Sequence, residues 1–290
     1  MGTDFEKILD EVNKKAKEAV TDKGDYIGDN GLLYCGKCHT PKQCRISICG
    51  KIKTVYCLCE CGCIIQDLER EKMRRKVREE WISDMRTAAF PSRKFCDYTF
   101  AHDFKKKPEL TRICKNYVDH FPEMAECGTG LLLYGATGTG KTYAASMIAN
   151  ELISRGIPSL FVSIKSLVKD IRETFGTEKS VTAALNGYKL LIIDDLGAEN
   201  KTPYIQDIVL DIIESRTNIG LPLIVTTNIA IKELKNPQSI TEKRINDRIL
   251  KMCFPVEVTG ENYRYTAIKQ DFDRTKKILY GADREEDGKE

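Results

Sequence analysis

The chain has 290 residues, 46 Lys+Arg against 43 Asp+Glu, and 12 cysteines. At roughly 100–200 residues per domain, this predicts one large domain or two unequal ones, with length enough to bury a core without disulfide stapling. A formal charge of +3 with 41% hydrophobic residues excludes a histone-like polycation and a chain disordered throughout. No apolar run reaches the roughly 18–20 residues of a bilayer span. The opening Met1–Lys7 is polar and lacks the apolar stretch of a signal peptide. The expectation is a cytoplasmic protein with no membrane contact, in a compartment where disulfides are rare.

In chain order, Phe5, Ile8, Leu9, Val12 and Ala16 recur at i, i+3, i+4 and i+7, so the spacing predicts an amphipathic helix over 3–20. Its apolar stripe must pack on the following module or on a partner protein. Thr21 to Gly31, rich in Gly and Asp, predicts a loop.

Eight of the 12 cysteines then fall within 35–63: Cys35, Cys38, Cys44, Cys49, Cys57, Cys59, Cys61 and Cys63. In a reducing compartment such clustering predicts metal binding. Cys35-Gly36-Lys37-Cys38 has the two-residue spacing that lets two thiolates face one ion. The second group, Cys57-Leu58-Cys59-Glu60-Cys61-Gly62-Cys63, contains no simple Cys-x-x-Cys. A four-thiolate zinc site is expected from four of Cys35, Cys38, Cys57, Cys59 and Cys61, with the second half left open. An iron–sulfur cluster and a set of free or redox-active thiols are the alternatives. Lys37, Lys42, Arg45, Lys51 and Lys53 lie in the same segment, with no acid between Cys35 and Cys59. A basic, metal-stapled face of this kind suits docking to nucleic acid or protein, or is a solvated surface.

Residues 64–87 are strongly charged, without Gly or Pro, and predict an exposed connecting helix. Residues 70–78 carry six basic groups and one acid, enough to attract a phosphate backbone. Pro91 breaks the pattern. The expected organisation is an N-terminal helix and cysteine-rich module at 1–65, a charged helical linker at 66–92, a large domain at 93–275 and a polar tail at 276–290.

Beyond Pro91 the pattern alternates. Apolar runs at Leu131–Tyr134, Leu160–Val162, Leu190–Ile193, Leu223–Val225 and Val256–Val258 predict buried strands. Helical patterns at 141–154, 165–175 and 203–218 separate them, the last opening with Thr202 as cap and Pro203 in the first turn. Buried strands alternating with helices predict an α/β fold with a parallel sheet covered on both faces.

Gly135-Ala136-Thr137-Gly138-Thr139-Gly140-Lys141-Thr142 matches G-x-x-x-x-G-K-[ST] between the first of these strands and the helix at 141. Its glycines allow backbone amides to wrap phosphates at a helix N-terminus. Lys141 would neutralise the β and γ phosphates, and Thr142 would give its hydroxyl to Mg²⁺. The strand at 190–193 ends in Asp194 and Asp195, a carboxylate pair suited to holding Mg²⁺ and orienting a water. Thr226-Thr227-Asn228 places polar side chains at another strand end, within reach of a γ-phosphate or its water. Arg244 and Arg248 stand at i, i+4 on one helix face, and Arg264 follows. Arginine's planar fork suits phosphate, and surface ion pairing is the plainer alternative.

These stretches together (GATGTGKT at 135–142, LLIIDDLGAE at 190–199, LPLIVTTN at 221–228, EKRINDRI at 242–249 and NYR at 262–264) resemble the AAA+ ATPases of the DnaC/IstB group. The resemblance runs from about Phe95 to Ile268. It implies a P-loop AAA+ core with a five-stranded parallel sheet of order 5-1-4-3-2, preceded here by the small zinc-binding module. It implies that Gly135–Thr142 form the Walker A loop, Asp194 and Asp195 the Walker B pair, and Asn228 sensor 1. Arg248 matches the arginine finger that reaches a neighbour's ATP, with Arg244 one turn earlier as competitor, and Arg264 matches sensor 2. Related ATPases carry Glu where Asp195 stands, and Glu199 lies close by in the chain. The segment from Phe90-Pro91 to Tyr98-Thr99-Phe100 is similar to the family's lead-in near the nucleotide base.

The resemblance further implies an Mg²⁺-dependent ATPase that self-associates through its AAA+ domain. Its expected role is to load a hexameric replicative helicase, bound through the N-terminal region, onto single-stranded DNA during replication. Two alternatives stand beside it: a transposition helper that assembles on duplex DNA, and a metal-dependent nucleic-acid adaptor with a vestigial ATP/ADP site.

Overall fold

The structure, a computed structural model, describes residues 14, 22–48, 50–102, 107–173, 178–197, 202–260, 262, 272, 274–276 and 278–280. The helix expected over 3–20 lies outside these apart from Lys14, as do Cys49, Glu199 and Arg264. The chain divides into two compact units, Met1–Glu80 and Trp81–Glu290.

The first unit holds two short antiparallel pairs. β1 (Tyr26–Ile27) pairs with β2 (Leu33–Tyr34), so the expected loop at 21–31 contains a strand. β3 (Gln43–Ile48) and β4 (Lys51–Tyr56) form a hairpin in the register Cys44↔Val55. The helix α1 (Glu60–Ala89) follows directly. It begins four residues before the expected 64, so Cys61 and Cys63 belong to its first turn. Among the described residues of this unit only Leu33, Cys35 and Cys59 are buried apolar side chains. Lys42 donates to Asp25 at 2.8 Å, and both charged side chains are almost fully covered. The Asp22 backbone and the Lys42 ammonium hold the Asp25 carboxyl down, to about 2.

The second unit begins within α1 and continues through two 3₁₀ turns, Arg93–Asp97 and Phe100–His102, into α2 (Pro108–Asp119) and α3 (Phe121–Glu126). There follow β5 (Gly130–Tyr134), α4 (Lys141–Ser154), β6 (Ser159–Ser163), α5 (Ile164–Glu173), α6 (Glu178–Leu185) and β7 (Leu190–Leu196). The unit continues with α7 (Pro203–Ile219), β8 (Leu223–Thr227), α8 (Ile231–Leu234), α9 (Ile240–Met252) and β9 (Cys253–Glu257). The five strands β5–β9 are parallel and lie in the order β6-β7-β8-β5-β9, which is the implied 5-1-4-3-2 read from the other edge.

Period-two alternation supplies both covered faces. Leu131, Leu133, Leu190, Ile192 and Ile224 join one core with α2 and α4. Leu132, Leu191, Ile193, Leu223 and Val225 join the other with α5, α7 and α9. The last strand starts three residues before the expected Val256, because Cys253 is buried while Phe254 and Pro255 face outward on the sheet edge. The expected segments did not include α2, α3, α6 and α8, although Pro108 and Pro122 mark the first turns of α2 and α3.

One buried cation closes the far side of the second core. Arg216 on α7 is fully buried and donates to the carbonyls of Leu185, Tyr188, Lys189 and Pro222 at 2.9–3.3 Å. Burial lowers its pKa to about 10, so it stays charged at neutral pH. Leu185 closes α6 and also accepts from the Tyr188 amide, whereas Tyr188, Lys189 and Pro222 lie in the α6–β7 and α7–β8 connections. Arg216→Met is expected to cost roughly 3 kcal/mol, because several buried acceptors lose their partner at once. Urea unfolding measures this, and a loss below ~1 kcal/mol would mean those carbonyls find other donors.

Candidate functional site

The carboxyl ends of parallel strands collect loops, and ligands of open α/β sheets bind there. Here that edge carries the glycine-rich loop after β5, the acidic pair ending β7 and the Thr-Asn end of β8. Gly140 at φ 96° opens α4, and Gly138 lies at φ 81°, backbone that L side chains rarely adopt. A Cβ on Gly138 would also fall 1.8 Å from Asn262 Oδ1, so that amide would have to swing away, on top of the strain of the positive φ.

Lys141 is buried at the head of α4. Its ammonium donates to Gly135 O at 2.8 Å, Ala136 O at 2.7 Å and Asn228 Oδ1 at 2.7 Å. Thr139 Oγ1 donates to Ala136 O and tightens the same turn. Thr142 Oγ1 donates to Asp194 Oδ1 at 2.9 Å, and Thr226 Oγ1 donates to the same oxygen at 2.7 Å. The Asp195 amide in turn donates to Thr226 Oγ1 at 2.8 Å. The β7–β8 register shifts between Ile193 and Leu196, and Asp195 takes the left-handed φ of 57°. That bulge turns the second carboxylate out of the sheet, where Asn228 Nδ2 donates to its Oδ1 at 2.8 Å. Sequence-named Lys141, Thr142, Asp194, Asp195 and Asn228 are thus one hydrogen-bonded group spanning α4, β7 and β8.

Burial raises the pKa of Asp194, and neighbouring Asp195 adds to this, while the bonds from Thr226 and Thr142 and the Lys141 charge pull it down. The net upward direction means that the folded protein pays to keep this carboxylate ionised. Two hydroxyls and two carboxylates beside a buried lysine and a glycine cradle are a donor set that fits a phosphate chain with a hard divalent cation.

Other residues enter that sequence patterns did not assign. Lys107, ahead of α2, donates to Thr139 O in the loop and to Thr259 O after β9. The lead-in segment that the resemblance named packs on β6 and α4: Phe95 lies tilted against Phe161 of β6 with ring centres 5.3 Å apart, and Tyr98 meets Tyr143 of α4 at 4.7 Å. Asn150 on α4 donates to the carbonyls of Phe95 and Tyr98. The two sequence-named arginines of α9 converge on a third such residue. Arg244 Nη2 and Arg248 Nη2 donate to the same Glu214 Oε1 on α7, at 2.9 and 2.7 Å.

In the first unit, the sulfurs of Cys35, Cys38, Cys59 and Cys61 lie within 4.8 Å of one another and could hold a metal ion. Cys57, the fifth candidate, is excluded from this group. Its amide extends the β3–β4 ladder to Lys42 O, and its sulfur points to Pro41 O at 3.7 Å. The first pair sits in a knuckle where the Lys37 amide donates to Cys35 Sγ at 3.4 Å, and Gly36 is required because a Cβ would lie 2.1 Å from Gly24 O. The second pair straddles the start of α1, beside the positive end of the helix. Bonds from Thr40 and nearby amides lower the Cys38 thiol to about 5, whereas crowding by Cys59, Cys35 and Cys38 pushes Cys61 up to about 12. Four sulfurs this close repel as thiolates unless a cation lies among them, which is the chemistry of a thiolate metal site.

Known proteins resemble much of the chain. The family model described as IstB-like ATP binding protein matches residues 63–271. The replicative helicase loader DnaI of Bacillus subtilis (strain 168) is 30% identical over 151 residues, 48% of this chain and 48% of that protein. The match therefore spans about half the length of that relative. The replicative helicase loader DnaC of Buchnera aphidicola subsp. Acyrthosiphon pisum is 27% identical over 191 residues, 64% of this chain and 73% of that protein. A crystal structure of DnaI superposes with TM-score 0.50 at 28% identity, over 60% of this chain and 94% of that one. A crystal structure of the DnaC helicase loader does so at 0.51 and 20% identity, over 58% and 100%, a likeness of fold alone. No helix among the described residues is long and apolar enough to cross a membrane.

Two outcomes test these sites. Cys57→Ser is expected to keep the bound metal, while Cys38→Ser or Cys59→Ser loses it, as read by elemental analysis of the purified chain. Equal loss from Cys57→Ser would refute the four-sulfur assignment. For Asp194, the sign follows from its raised pKa: ionisation in the folded state lowers stability as pH rises from the unfolded value through the folded one. Asp194→Asn is therefore expected to melt no lower than the unmodified chain without nucleotide, yet to lose the rise in melting temperature given by Mg²⁺ with ADP. A variant that still gains from Mg²⁺-ADP would remove Asp194 from the cation site.

Proposed function

The chain belongs to the IstB-like ATP-binding protein family, and on that premise we propose that it is an ATP-driven loader of a replicative DNA helicase onto single-stranded DNA. The observation that carries the ATPase part is the convergence of Thr142 and Thr226 on Asp194, beside Lys141 and Asn228. The loader part rests on the relatives named replicative helicase loader DnaI and DnaC.

In this reading the amides of Gly135–Thr142 cradle the phosphates, and Lys141 exchanges its loop carbonyls for phosphate oxygens. Thr142 and Asp194 hold a magnesium ion, which supplies neutralising charge to the β and γ phosphates. Asp195, fixed by Asn228, orients the attacking water. Its side chain is one methylene shorter than the Glu of related ATPases, which favours slow turnover suited to a switch. Arg248, with Arg244 one turn before it, completes the site of a neighbouring copy, and Arg264 acts as sensor 2 on the nucleotide of its own chain. Hydrolysis therefore depends on assembly through the AAA+ domain. Contacts with single-stranded DNA are mostly to phosphate and weaken steeply with salt.

The N-terminal region, stapled by zinc on Cys35, Cys38, Cys59 and Cys61, binds the hexameric helicase. Thiolate ligands with a two-residue knuckle suit zinc. A small unit whose described residues bury so few apolar side chains is also stabilised by such a staple.

A second reading, a transposition helper on duplex DNA, rests on the resemblance to the IstB branch of the group, whose family model matches residues 63–271. Mass measurement of the purified chain with the replicative helicase of its own cell separates them. A complex in ATP or ADP is expected, together with loss of helicase loading in Lys141→Ala. The loader reading fails if neither nucleotide supports a complex, and assembly on duplex DNA without helicase would favour the transposition helper. Undiminished loading by Lys141→Ala would leave an adaptor with a vestigial nucleotide site.

A further inference from the structure

The arginines of α9 share a partner, and the sharing has a chemical consequence. Arg244 and Arg248 both donate to one oxygen of Glu214, at 2.9 and 2.7 Å. One carboxylate balances one guanidinium, so the trio keeps an excess positive charge. Its side chains are open to solvent to different degrees: 55% for Arg244, 32% for Arg248 and 25% for Glu214. Ion pairs this accessible are weak and are readily exchanged for a stronger acceptor. A phosphate oxygen is such an acceptor, because it takes the planar fork of arginine in charge-assisted bonds.

We propose that Glu214 is the positioning residue of the arginine finger: it aims Arg248 from α7 and keeps Arg244 when Arg248 turns to the phosphates of a neighbouring copy. This deepens the reading above and rests on its trans arginine. The need for two arginines follows from charge. Were Arg248 alone on Glu214, its departure would leave a bare carboxylate beside the incoming phosphates, and like charges would oppose the docking. With Arg244 retained, the pair left behind is neutral, and Arg248 brings its full charge to the phosphate. Before docking, repulsion between two guanidinium groups on one oxygen loosens the hold on Arg248. The α7–α9 packing fixes the distance over which this exchange occurs, since Ile208, Ile212 and Ile213 of α7 and Ile245 and Ile249 of α9 are buried in the same core.

A mixing experiment separates this role from general stability. An acceptor chain carries Arg248→Ala, so it binds ATP and lends no finger. A donor chain carries Asp195→Asn, so it lends its finger and hydrolyses poorly; asparagine tolerates the left-handed backbone at that position. The mixture is expected to recover ATPase activity above the sum of the two alone. Adding Glu214→Gln to the donor is expected to lower the recovered kcat about tenfold, as small misplacements of a reacting group do, with KM for ATP little changed. Adding it to the acceptor is expected to leave recovery intact. Glu214→Asp in the donor, which keeps the charge on a shorter arm, is expected to restore part of the rate. Melting curves of each chain report folding separately.

Equal loss from donor and acceptor, or no loss from the donor, overturns the positioning role. If the unsubstituted donor gives no recovery, the trans-arginine reading falls, and the role of Glu214 with it.

Discussion

A single carboxylate oxygen ties the nucleotide-binding end of the sheet together. Asp194 Oδ1 accepts from Thr142 at the head of α4 and from Thr226 on β8. It thereby links the glycine-rich loop, the acidic strand end and the neighbouring strand, three pieces far apart in sequence. The interaction is possible only because the parallel order β7-β8-β5 sets those strands side by side with their carboxyl ends together. It is also costly, since burial raises the pKa of Asp194 and neutral hydroxyls only partly compensate. A fold optimised for stability alone would place an apolar residue there. Keeping a carboxylate in that position makes sense for a protein whose site is completed by a cation.

The first unit is governed by a different constraint. The second unit buries two layers of Leu, Ile and Val around its sheet, and its loops can be held by a core. Among its described residues the first buries Leu33, two cysteines and the ion pair of Lys42 with Asp25. Its antiparallel pairs are too short to be stable alone. Four converging sulfurs supply what the missing core does not, and their position fixes where the hairpin ends and α1 begins. The same reasoning explains why Cys57 is left out. A residue paired into the β ladder is committed to the hairpin, and its sulfur follows the strand's alternation instead of turning into the knuckle.

Much of the large domain was legible in the sequence because its signals are local and redundant. The helix at 141–154 is bounded by Gly140 and by the glycine at 156, and its residues match the observed α4 end to end. The strands 131–134 and 190–193 are apolar runs too short to be helices, and the phosphate loop must lie between a strand and a helix. What escaped notice depends on contacts between distant segments. Glu214 looks like any surface acid of a helix until α9 brings two arginines onto it. Lys107 stands in a charged stretch, and only folding carries it to Thr139. Among the cysteines, spacing alone could not separate Cys57 from Cys59 and Cys61, because the choice is made by a strand register that Lys42 completes from 15 residues upstream.

The charged groups of the large domain fall into two sets with different surroundings. Lys141 and Asp194 are buried or nearly so, and their hydrogen bonds to Gly135, Ala136, Asn228, Thr142 and Thr226 lie within the loop and the strand ends. Their positions are set by these bonds before any ligand arrives, so binding asks for an exchange of partners at the Lys141 ammonium and little movement of the backbone around it. Arg244 and Arg248 lie on an accessible helix face and share one acid, so their geometry is provisional. A rigid set that grips and a loosely held set that can be drawn away are the parts required for coupling between copies. Binding alone needs only the first set, whereas an activity that switches with assembly needs the second to be free to leave. In the proposed exchange the shared acid divides that second set again: Arg248 departs to a neighbour's phosphates, and Arg244 stays to keep Glu214 neutral.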